Sequence, residues 1–595
     1  MPVGSACRVR LAAGRQLDSE LANSVWLLKA WGKPMVSLMR TQWRRAFPGR
    51  QWRSRLRFGT ILSLCLAFIV ACTSSPSTES ETADTAAGDA GSDRIAIGTT
   101  LTARTLDPAD AYEIFPGILL HNLGDQLYAY EPGTTELIPQ LAADMPTVSD
   151  DGLTYVIPLR EDVLFHDGTP FNAEAMAFSL NRFIQNGGRP AFLLGDRIDS
   201  VEATSDYELT VKLNSPFAAF TALMTFWGVT PVPPDAYEIA EGSFVPDSFI
   251  GTGPYKLAAF NSDSISLDVN EDYWGEKPAN GGIDIQIFSS PANLYNTFKT
   301  QGIDVAYQTL DPEQIADLER EADTGNWQVI EAGTTVVNYM SLNQKIEPLN
   351  DVRVRQAIAA MIDRDLVNER VFQGQAEPLY SLIPTSFDVY EPVLQEAYGD
   401  GDFALAEQLL RDAGFSEDNP FNFEIWYPSA STTRSVVANT LKESFETGLP
   451  GLITVTVQTA ESATLWGNVD KGVYPSVLAN WYPDYYDVDT FVQPFLSCEE
   501  GSEATLCEQG ASQGNGSFYY SEEANELVTA QQAEQDPEAR KQVIKDLQAL
   551  LQEDVPYIPL WQNKDYVFAQ NGIDGVAIQP TQQFLMWQIT KNGSA

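Results

Sequence analysis

A single short apolar run, Phe58 to Ala71, is the feature that most limits what this chain can fold into. A helix that crosses a bilayer needs about 20 apolar residues, so this run is too short to span a membrane comfortably. It follows a basic segment and ends in small residues, a combination typical of a secretory signal. We therefore expect 1–71 to be an export signal, with Met39 as an alternative start.

The cysteines indicate how the exported body is anchored and cross-linked. Cys72 ends the sequence Ile-Val-Ala-Cys, which resembles a bacterial lipobox, so we expect it to carry lipid; the alternative is a buried helix beside a chance cysteine. Residues 73–93 contain no large apolar side chain and are expected to form a flexible tether. Cys498 and Cys507 lie in the body, where an oxidising compartment favours a disulfide between them.

The composition disfavours several classes of function. The formal net charge is −44, from 37 basic and 81 acidic residues, which argues against nucleic acid as a partner. Only two histidines occur, His121 and His166, so histidine-rich metal sites and most histidine-dependent catalysis are disfavoured. The acidity either attracts cationic ligands or adapts the protein to a saline medium. We favour the second explanation because the acids are spread along the whole body.

The residue pattern of the body predicts mixed α/β structure. Alternation of apolar and polar residues predicts strands at 94–100, 153–159, 422–427 and 452–457, a hairpin at 200–213 that turns at Ser205-Asp206, and a hairpin at 255–270 that turns near 261–264. Helical spacing and capping residues predict helices at 174–184, from Asp351 to Val371, 404–413, 434–446 and from Asp536 onward. No internal repeat is visible, and no later apolar run approaches membrane-spanning length.

Five stretches of the body, taken in order, resemble one family. They begin at the residues named here and read LDPA (Leu106), DMPTVSDDGLTYVIPLREDVLFHDGTPF (Asp144), GTGPYKLAAFNSDSISLDVNEDYWG (Gly251), LNDVRVRQAIAAMID (Leu349) and NWYPDYYDVDTF (Asn480). The chain thereby resembles the bacterial extracellular solute-binding proteins of family 5, which are the peptide- and nickel-binding lipoproteins of ABC importers. The resemblance covers the chain from about residue 94 to its C-terminus.

The resemblance implies an α/β fold of the periplasmic-binding-protein type, with two lobes. The large, type II-like lobe would comprise 94–335 plus 560–595 and would include an extra subdomain at 137–200. The second α/β lobe would comprise 336–559. Two crossing strands, near 335–343 and 557–566, would form the hinge between the lobes.

The resemblance also implies a function without catalysis, cofactor or bound metal. The protein would be the periplasmic, lipid-anchored component of an ABC importer that captures peptides between its lobes. Because the ligand contacts both lobes only when they close, binding would shift the population toward the closed state. A membrane permease would receive the ligand, and a separate ATPase would supply the energy. The membrane would be contacted through the lipid anchor only.

The ligand-binding candidates come mainly from the last of the five stretches. Asp484 matches the family aspartate that pairs with the α-ammonium of a peptide, because an ammonium taken out of water needs an ionised partner. Trp481 is expected to form a wall of the cleft, and Tyr482 and Tyr485 are further candidates.

The sequence does not mark a single cation for the carboxylate end of a ligand. Some oligopeptide binders of the family carry an arginine three residues before the tryptophan, where this chain has Leu478. Either another cation takes this role or the ligand differs in length or class. Arg434, near a predicted helix start, and Arg104, in a segment expected to line the cleft, are the two candidates.

Three other functions are compatible with the sequence. The same fold could bind a metal chelate, a sugar or an opine-like compound, although the absence of histidine from the second lobe argues against nickel. An exported hydrolase with a histidine-dependent triad would have to use His121 or His166, and no zinc-protease motif occurs. A sensor or chaperone could use the same cleft.

Overall fold

The computed structural model describes residues 93–322, 324–325 and 327–591. The predicted export signal, the lipidation site Cys72 and all of the tether except Asp93 therefore lie outside the described residues. Within those residues, no helix combines the length and the apolar character needed to cross a bilayer.

An eleven-stranded sheet with parallel and antiparallel pairs runs through the described chain. Its strands follow one another in space in the order Ile453–Ala460, Phe421–Pro428, Ser476–Trp481, Trp327–Leu342, Tyr557–Gln570, Val305–Tyr307, Ile95–Thr99, Ile283–Ile287, Ser264–Val269 and Tyr255–Phe260, and the eleventh, Ala376–Pro378, pairs with Tyr557–Gln570. The predicted mixed α/β class is confirmed.

Two long antiparallel strands join the halves of this sheet. We call Trp327–Leu342 the first long strand and Tyr557–Gln570 the second long strand. Their pairing is interrupted at 334–336. Beyond the interruption the first long strand pairs with Ser476–Trp481, whereas the far end of the second long strand pairs with Val305–Tyr307. Each half of the sheet therefore attaches to a different end of the strand pair.

A separate four-stranded antiparallel sheet lies near the N-terminal end of the body. Its strands, in spatial order, are Thr147–Val148, Thr154–Pro158, Glu208–Leu213 and Ile198–Ser205. The helix Ala173–Gln185 packs on it and begins at Asn172, whose side chain accepts a hydrogen bond from Ala175 N at 2.9 Å. The subdomain of 137–200 that the resemblance implies includes only part of this sheet.

Helices surround both sheets. The α-helices are Ile114–Leu123, Ala173–Gln185, Phe192–Gly195, Phe220–Leu223, Pro291–Lys299, Pro312–Ala322, Val352–Met361, Arg364–Val367, Val393–Tyr398, Phe403–Asp412, Thr432–Gly448, Ser462–Val469, Asp489–Leu496, Ala511–Gly514, Glu522–Ala533 and Pro537–Asp554. Short 3₁₀ or π turns occupy Trp227–Val229, Asn368–Phe372 and Met586–Gln588. Several predicted ends are confirmed because the cap residues are local signals: Asp536 accepts from Ala539 N at 2.8 Å, and Gly414, with φ of 99°, follows Phe403–Asp412.

Two predicted elements need correction. The helix that begins at Asp351 ends at Met361 rather than reaching Val371, because Asp363 caps a new helix by accepting a hydrogen bond from Leu366 N at 2.8 Å. Helical spacing of apolar residues continues across this break and therefore did not reveal it. The first hairpin turns at 206–207, one residue later than predicted, since the pairing register shifts after Ala203.

Three small two-stranded antiparallel sheets make up the rest of the named β-strands. They are Tyr128–Tyr130 with Leu137–Pro139, Ile573–Asp574 with Thr590–Lys591, and Glu500–Ser502 with Leu506–Gln509. The third pair carries a disulfide between Cys498 and Cys507, whose Cα atoms are 5.7 Å apart.

Candidate ligand-binding site

Two neighbouring cavities lie beside the two long strands. The first cavity has a volume of about 620 Å³, and its lining includes 100–102, 112–115, Gly117, Ile118 and 481–486. The second cavity has a volume of about 330 Å³ and is lined by side chains of both long strands together with Arg434. Tyr482 lines both cavities.

The end of the strand Ser476–Trp481 explains why adjacent residues serve different cavities. Successive side chains of a strand point to opposite faces, so Asn480 reaches the second cavity whereas Trp481 reaches the first. Pro483 has no backbone N–H and cannot continue the ladder. The chain turns at this point, and Asp484 lines the first cavity.

Asp484 is a partly buried carboxylate without a cationic partner. Burial raises its pKa to about 6, and a hydrogen bond with the Tyr112 hydroxyl acts in the opposite direction. No Lys, Arg or His of the described ranges contributes to this pKa. A carboxylate held in such a cavity gains free energy when a cation binds beside it.

Trp481 lies between the core and the first cavity. Its ring meets Phe495 edge to face, with ring centroids 5.5 Å apart. The indole Nε1 is buried and has no hydrogen-bond partner. An unpaired buried donor is costly, and this N–H lacks the partner that a buried donor usually has.

The two predicted tyrosines differ in their surroundings. Tyr485 is 8% exposed, packs edge to face on Phe217 and donates its hydroxyl to Asp489 Oδ2 at 2.8 Å. Its polar group is therefore already used, and it contributes a wall of the first cavity. Tyr482 is 44% exposed and separates the two cavities.

Arg434 lies in the first turn of Thr432–Gly448 and lines the second cavity. Its guanidinium donates to Asn480 Oδ1, its Nε is buried without a partner, and burial lowers its pKa from the usual value. Leu478 is 1% exposed in the core, so the position at which some family members carry an arginine has no access to either cavity. Arg434 meets the same strand two residues further along.

Arg104 lines neither cavity. Its guanidinium forms ion pairs with Asp110 at 2.5 Å and with Glu113 at 2.9 Å. The segment that precedes it does reach the first cavity, through Thr100 to Thr102. The cavity is therefore lined by the predicted segment but not by its arginine.

Some features of the site were not singled out from the sequence. The Tyr112 hydroxyl lowers the pKa of Asp484, and Gln582 lines the first cavity while donating to Thr335 Oγ1. These residues come from three distant parts of the chain, and no local motif marks them. Thr581 adds a buried hydroxyl that has no hydrogen-bond partner.

A hydrolase-like motif, GASQG from Gly510, also escaped notice in the sequence. Its Ser512 is fully buried and donates to Tyr519 O at 2.6 Å. His121 bonds to Gln126, and His166 bonds to backbone groups near Gly253. The serine hydroxyl is thus used by a backbone carbonyl within the core, and the described ranges contain no group of three potential metal-ligating residues.

The fold and the cavities define a class: a two-lobe binding protein of the periplasmic type. Solved structures share this fold. DppA from Helicobacter pylori in complex with the peptide STSA gives a TM-score of 0.69 at 23% identity and covers 84% of this chain and 98% of DppA. NikA from Brucella suis in complex with Fe(III)-EDTA gives 0.72 at 20% identity and covers 84% and 99%.

The family follows from the sequence match. The model of the bacterial extracellular solute-binding proteins, family 5, matches residues 136–503, and the chain belongs to this family. The glutathione-binding protein GsiB of Escherichia coli O1:K1 / APEC is 25% identical over 499 residues, which cover 82% of this chain and 92% of GsiB. The predicted family and two-lobe fold are thereby confirmed.

Proposed function

We propose that this protein is the substrate-binding component of an ABC importer and that it binds peptides by both charged ends. The observation that carries the proposal is the pair of uncompensated charges in adjacent cavities, Asp484 in the first and Arg434 in the second. A buried charge without a partner is costly, so a ligand with an ammonium at one end and a carboxylate at the other relieves both costs. A neutral sugar relieves neither.

The ammonium end of the peptide would lie in the first cavity. Its α-ammonium would bind the Asp484 carboxylate, which the Tyr112 hydroxyl supports. The free indole N–H of Trp481 would donate to a backbone carbonyl of the peptide. The ring of Tyr485 would then pack as a wall, and Tyr482 would lie beside the middle of the ligand.

The carboxylate end would lie in the second cavity. Arg434 is in the first turn of a 17-residue helix, and Ser431 and Thr433 of the same turn also line the cavity. A helix N-terminus carries partial positive charge and free N–H groups, and a guanidinium can bind a carboxylate through two hydrogen bonds. The two features favour a carboxylate at the same place.

Closure of the lobes would enclose the ligand. We propose that the large lobe comprises 94–335 plus 560–595 and the second lobe 336–559, since these limits fall within the two long strands. Across this division the Tyr130 hydroxyl donates to Tyr486 O at 3.2 Å, and Arg197 lies 3.6 Å from Asp489. Such contacts form only when the lobes approach each other, so they would stabilise the liganded state.

A ligand screen by thermal shift and calorimetry tests this function. Di-, tri- and pentapeptides are expected to raise the melting temperature, whereas oligosaccharides and metal chelates are not. Relatives named for glutathione and a neighbour solved with STSA agree with a peptide, while the Fe(III)-EDTA neighbour makes a chelate the second candidate. Stabilisation by chelates or sugars alone would overturn the proposal, as would consumption of the peptide detected by mass spectrometry.

We also propose that the mature protein is anchored through lipid on Cys72. In cells, the wild-type protein is expected in the membrane fraction, and Cys72→Ala is expected to be released or to remain unprocessed. Cys65→Ala, which lies within the predicted signal whichever start is used, is the control and should fractionate like the wild type. Unchanged membrane association of Cys72→Ala would remove the lipid anchor from the proposal.

A further inference from the structure

Part of the lining of the first cavity is formed by apolar side chains that the two charged ends of a peptide do not use. The helix Ile114–Leu123 contributes Ile114 and Ile118, which are four residues apart and therefore lie on one face of the helix. A separate segment adds the rings of Phe226 and Trp227. We call these four side chains the apolar face of the first cavity.

Trp227 is fixed in position by its neighbours, and its polar group is already used. The indole Nε1 donates to Ala111 O at 2.9 Å. The ring lies against the helix at Gly117, where a Cβ atom would come within 2.7 to 2.9 Å of three ring atoms, so a larger residue does not fit there. The ring also tilts over Phe226, with ring centroids 4.4 Å apart. Trp227 therefore presents a rigid aromatic surface to the cavity.

Apart from Asp484, the acidic and basic side chains that line this cavity are paired or neutral. Among the described residues these are one acid, Glu113, and one histidine, His121. Glu113 forms ion pairs with Arg104 at 2.9 Å and with Arg189 at 2.7 Å. Burial lowers the pKa of His121 to about 4, so its ring is neutral at pH 7. Once an ammonium occupies Asp484, the cavity offers no free partner to a charged side chain, and an apolar side chain is favoured.

Tyr112 connects the apolar face to Asp484. Its hydroxyl lowers the pKa of Asp484, and its ring meets Phe226 edge to face, with ring centroids 6.5 Å apart. All three residues line the same cavity. The first side chain of a peptide branches from the carbon atom that carries the α-ammonium. An ammonium at Asp484 therefore brings the first side chain, rather than a later one, next to the apolar face.

We propose that the apolar face binds the side chain of the first residue of the ligand and that the preferred peptides begin with an aromatic residue. Burial of a large apolar side chain at this face would remove its surface from water. An aromatic ring would also meet Phe226 and Trp227 in the offset or edge-to-face arrangements that aromatic pairs prefer. This inference rests on the proposed function and specifies the class of peptide that the site selects.

Calorimetry at pH 7 tests the inference in the wild-type protein. The probes are trialanine and tripeptides of alanine with phenylalanine or leucine at the first, second or third position. Phenylalanine at the first position is expected to bind about tenfold more tightly than trialanine and about threefold more tightly than leucine there. Affinity equal to that of trialanine, or a gain only at the second or third position, would overturn the inference while leaving peptide binding intact. Equal affinities of the phenylalanine and leucine peptides would overturn the aromatic preference.

Two variants, with folding checked by circular dichroism, locate the preference. Trp227→Leu keeps an apolar side chain but removes the ring, and the affinity ratio of the first-position phenylalanine peptide to trialanine is expected to fall about threefold or more. Ile114→Ser leaves the indole and its hydrogen bond in place, changes a partly exposed residue at the helix start, and should lower the same ratio about threefold.

Trp466→Leu is the matched control, since Trp466 is 44% exposed and lines neither cavity, and it should keep the wild-type ratio. A wild-type ratio in either folded variant would overturn the assignment of the apolar face. Failure of every peptide to bind the wild-type protein would instead overturn the proposed function.

Discussion

The first cavity places the carboxylate of Asp484, which has no cationic partner, among aromatic and aliphatic side chains, whereas the second brings amide and hydroxyl groups around the guanidinium of Arg434. Asp484 has the hydroxyl of Tyr112 as its support, and Arg434 has the amide of Asn480. The aromatic surroundings of Asp484 are poor solvents for charge, and its pKa is raised accordingly. We therefore expect a ligand ammonium in the first cavity to add more binding free energy than a ligand carboxylate in the second.

Substitution of Asp484 is expected to have the largest effect. Asp484→Ala should weaken binding of trialanine about 100-fold or more, because the ligand ammonium would be buried without a partner. Isothermal titration calorimetry measures the change. N-acetyl-trialanine is the matched ligand: acetylation should weaken binding to the wild type strongly and to the variant little. Unchanged affinity of Asp484→Ala would assign the ammonium to another group.

Removal of the cation from the second cavity should cause the next largest loss of peptide affinity. Arg434→Met is expected to weaken trialanine binding about 30-fold, and trialanine amide should bind the variant and the wild type with similar affinity. Arg104→Met is the control, since that arginine lines neither cavity, and its affinity should stay within about twofold. If Arg104→Met has the larger effect, the two arginines have been assigned in the wrong order.

Lower pH should weaken ligand binding through Asp484 in the first cavity. The raised pKa of Asp484 means that the unliganded folded protein takes up this proton more readily than an unfolded chain, whose aspartates titrate near 4. Its ionisation thus disfavours the unliganded fold as the pH rises from about 4 to 6. The peptide ammonium binds the ionised form, so trialanine affinity is expected to fall about tenfold between pH 7 and pH 5. Calorimetry at pH 5, 6 and 7 measures this, and a flat profile would contradict the assignment.

The smallest expected effect concerns the free indole N–H. Trp481→Phe keeps an aromatic wall but removes the donor, and peptide affinity should fall about fivefold, as for the loss of one hydrogen bond. Tryptophan-to-phenylalanine substitution at Trp466, which is 44% exposed and lines neither cavity, is the matched control. Equal affinities of Trp481→Phe and the wild type would mean that the ligand does not use this donor.

Much of the fold was visible in local patterns. Capping at Asp536 and the Gly414 end of a helix depend on residues within one turn of each other, and the structure contains both. The same local reasoning failed at Met361, where the apolar spacing continued but Asp363 began a new helix. The break between the two helices is stabilised by buried contacts of Arg364 with Asp400 and with Pro559 O. Both partners come from distant parts of the chain.

By itself, the sequence determined the family and the mixed α/β class and singled out the segment from Trp481 to Asp484 as a binding candidate, because each depends on residues that are neighbours along the chain. Only the tertiary structure decided which cations and acids face the cavities. The sequence does not distinguish Arg434 from Arg104. In the structure, Arg434 lines a cavity without an ion-pair partner, whereas Arg104 forms ion pairs with two carboxylates. Whether a charged side chain has an ion-pair partner can depend on groups that are far apart along the chain. Local sequence patterns do not indicate which of these distant groups become neighbours in the fold.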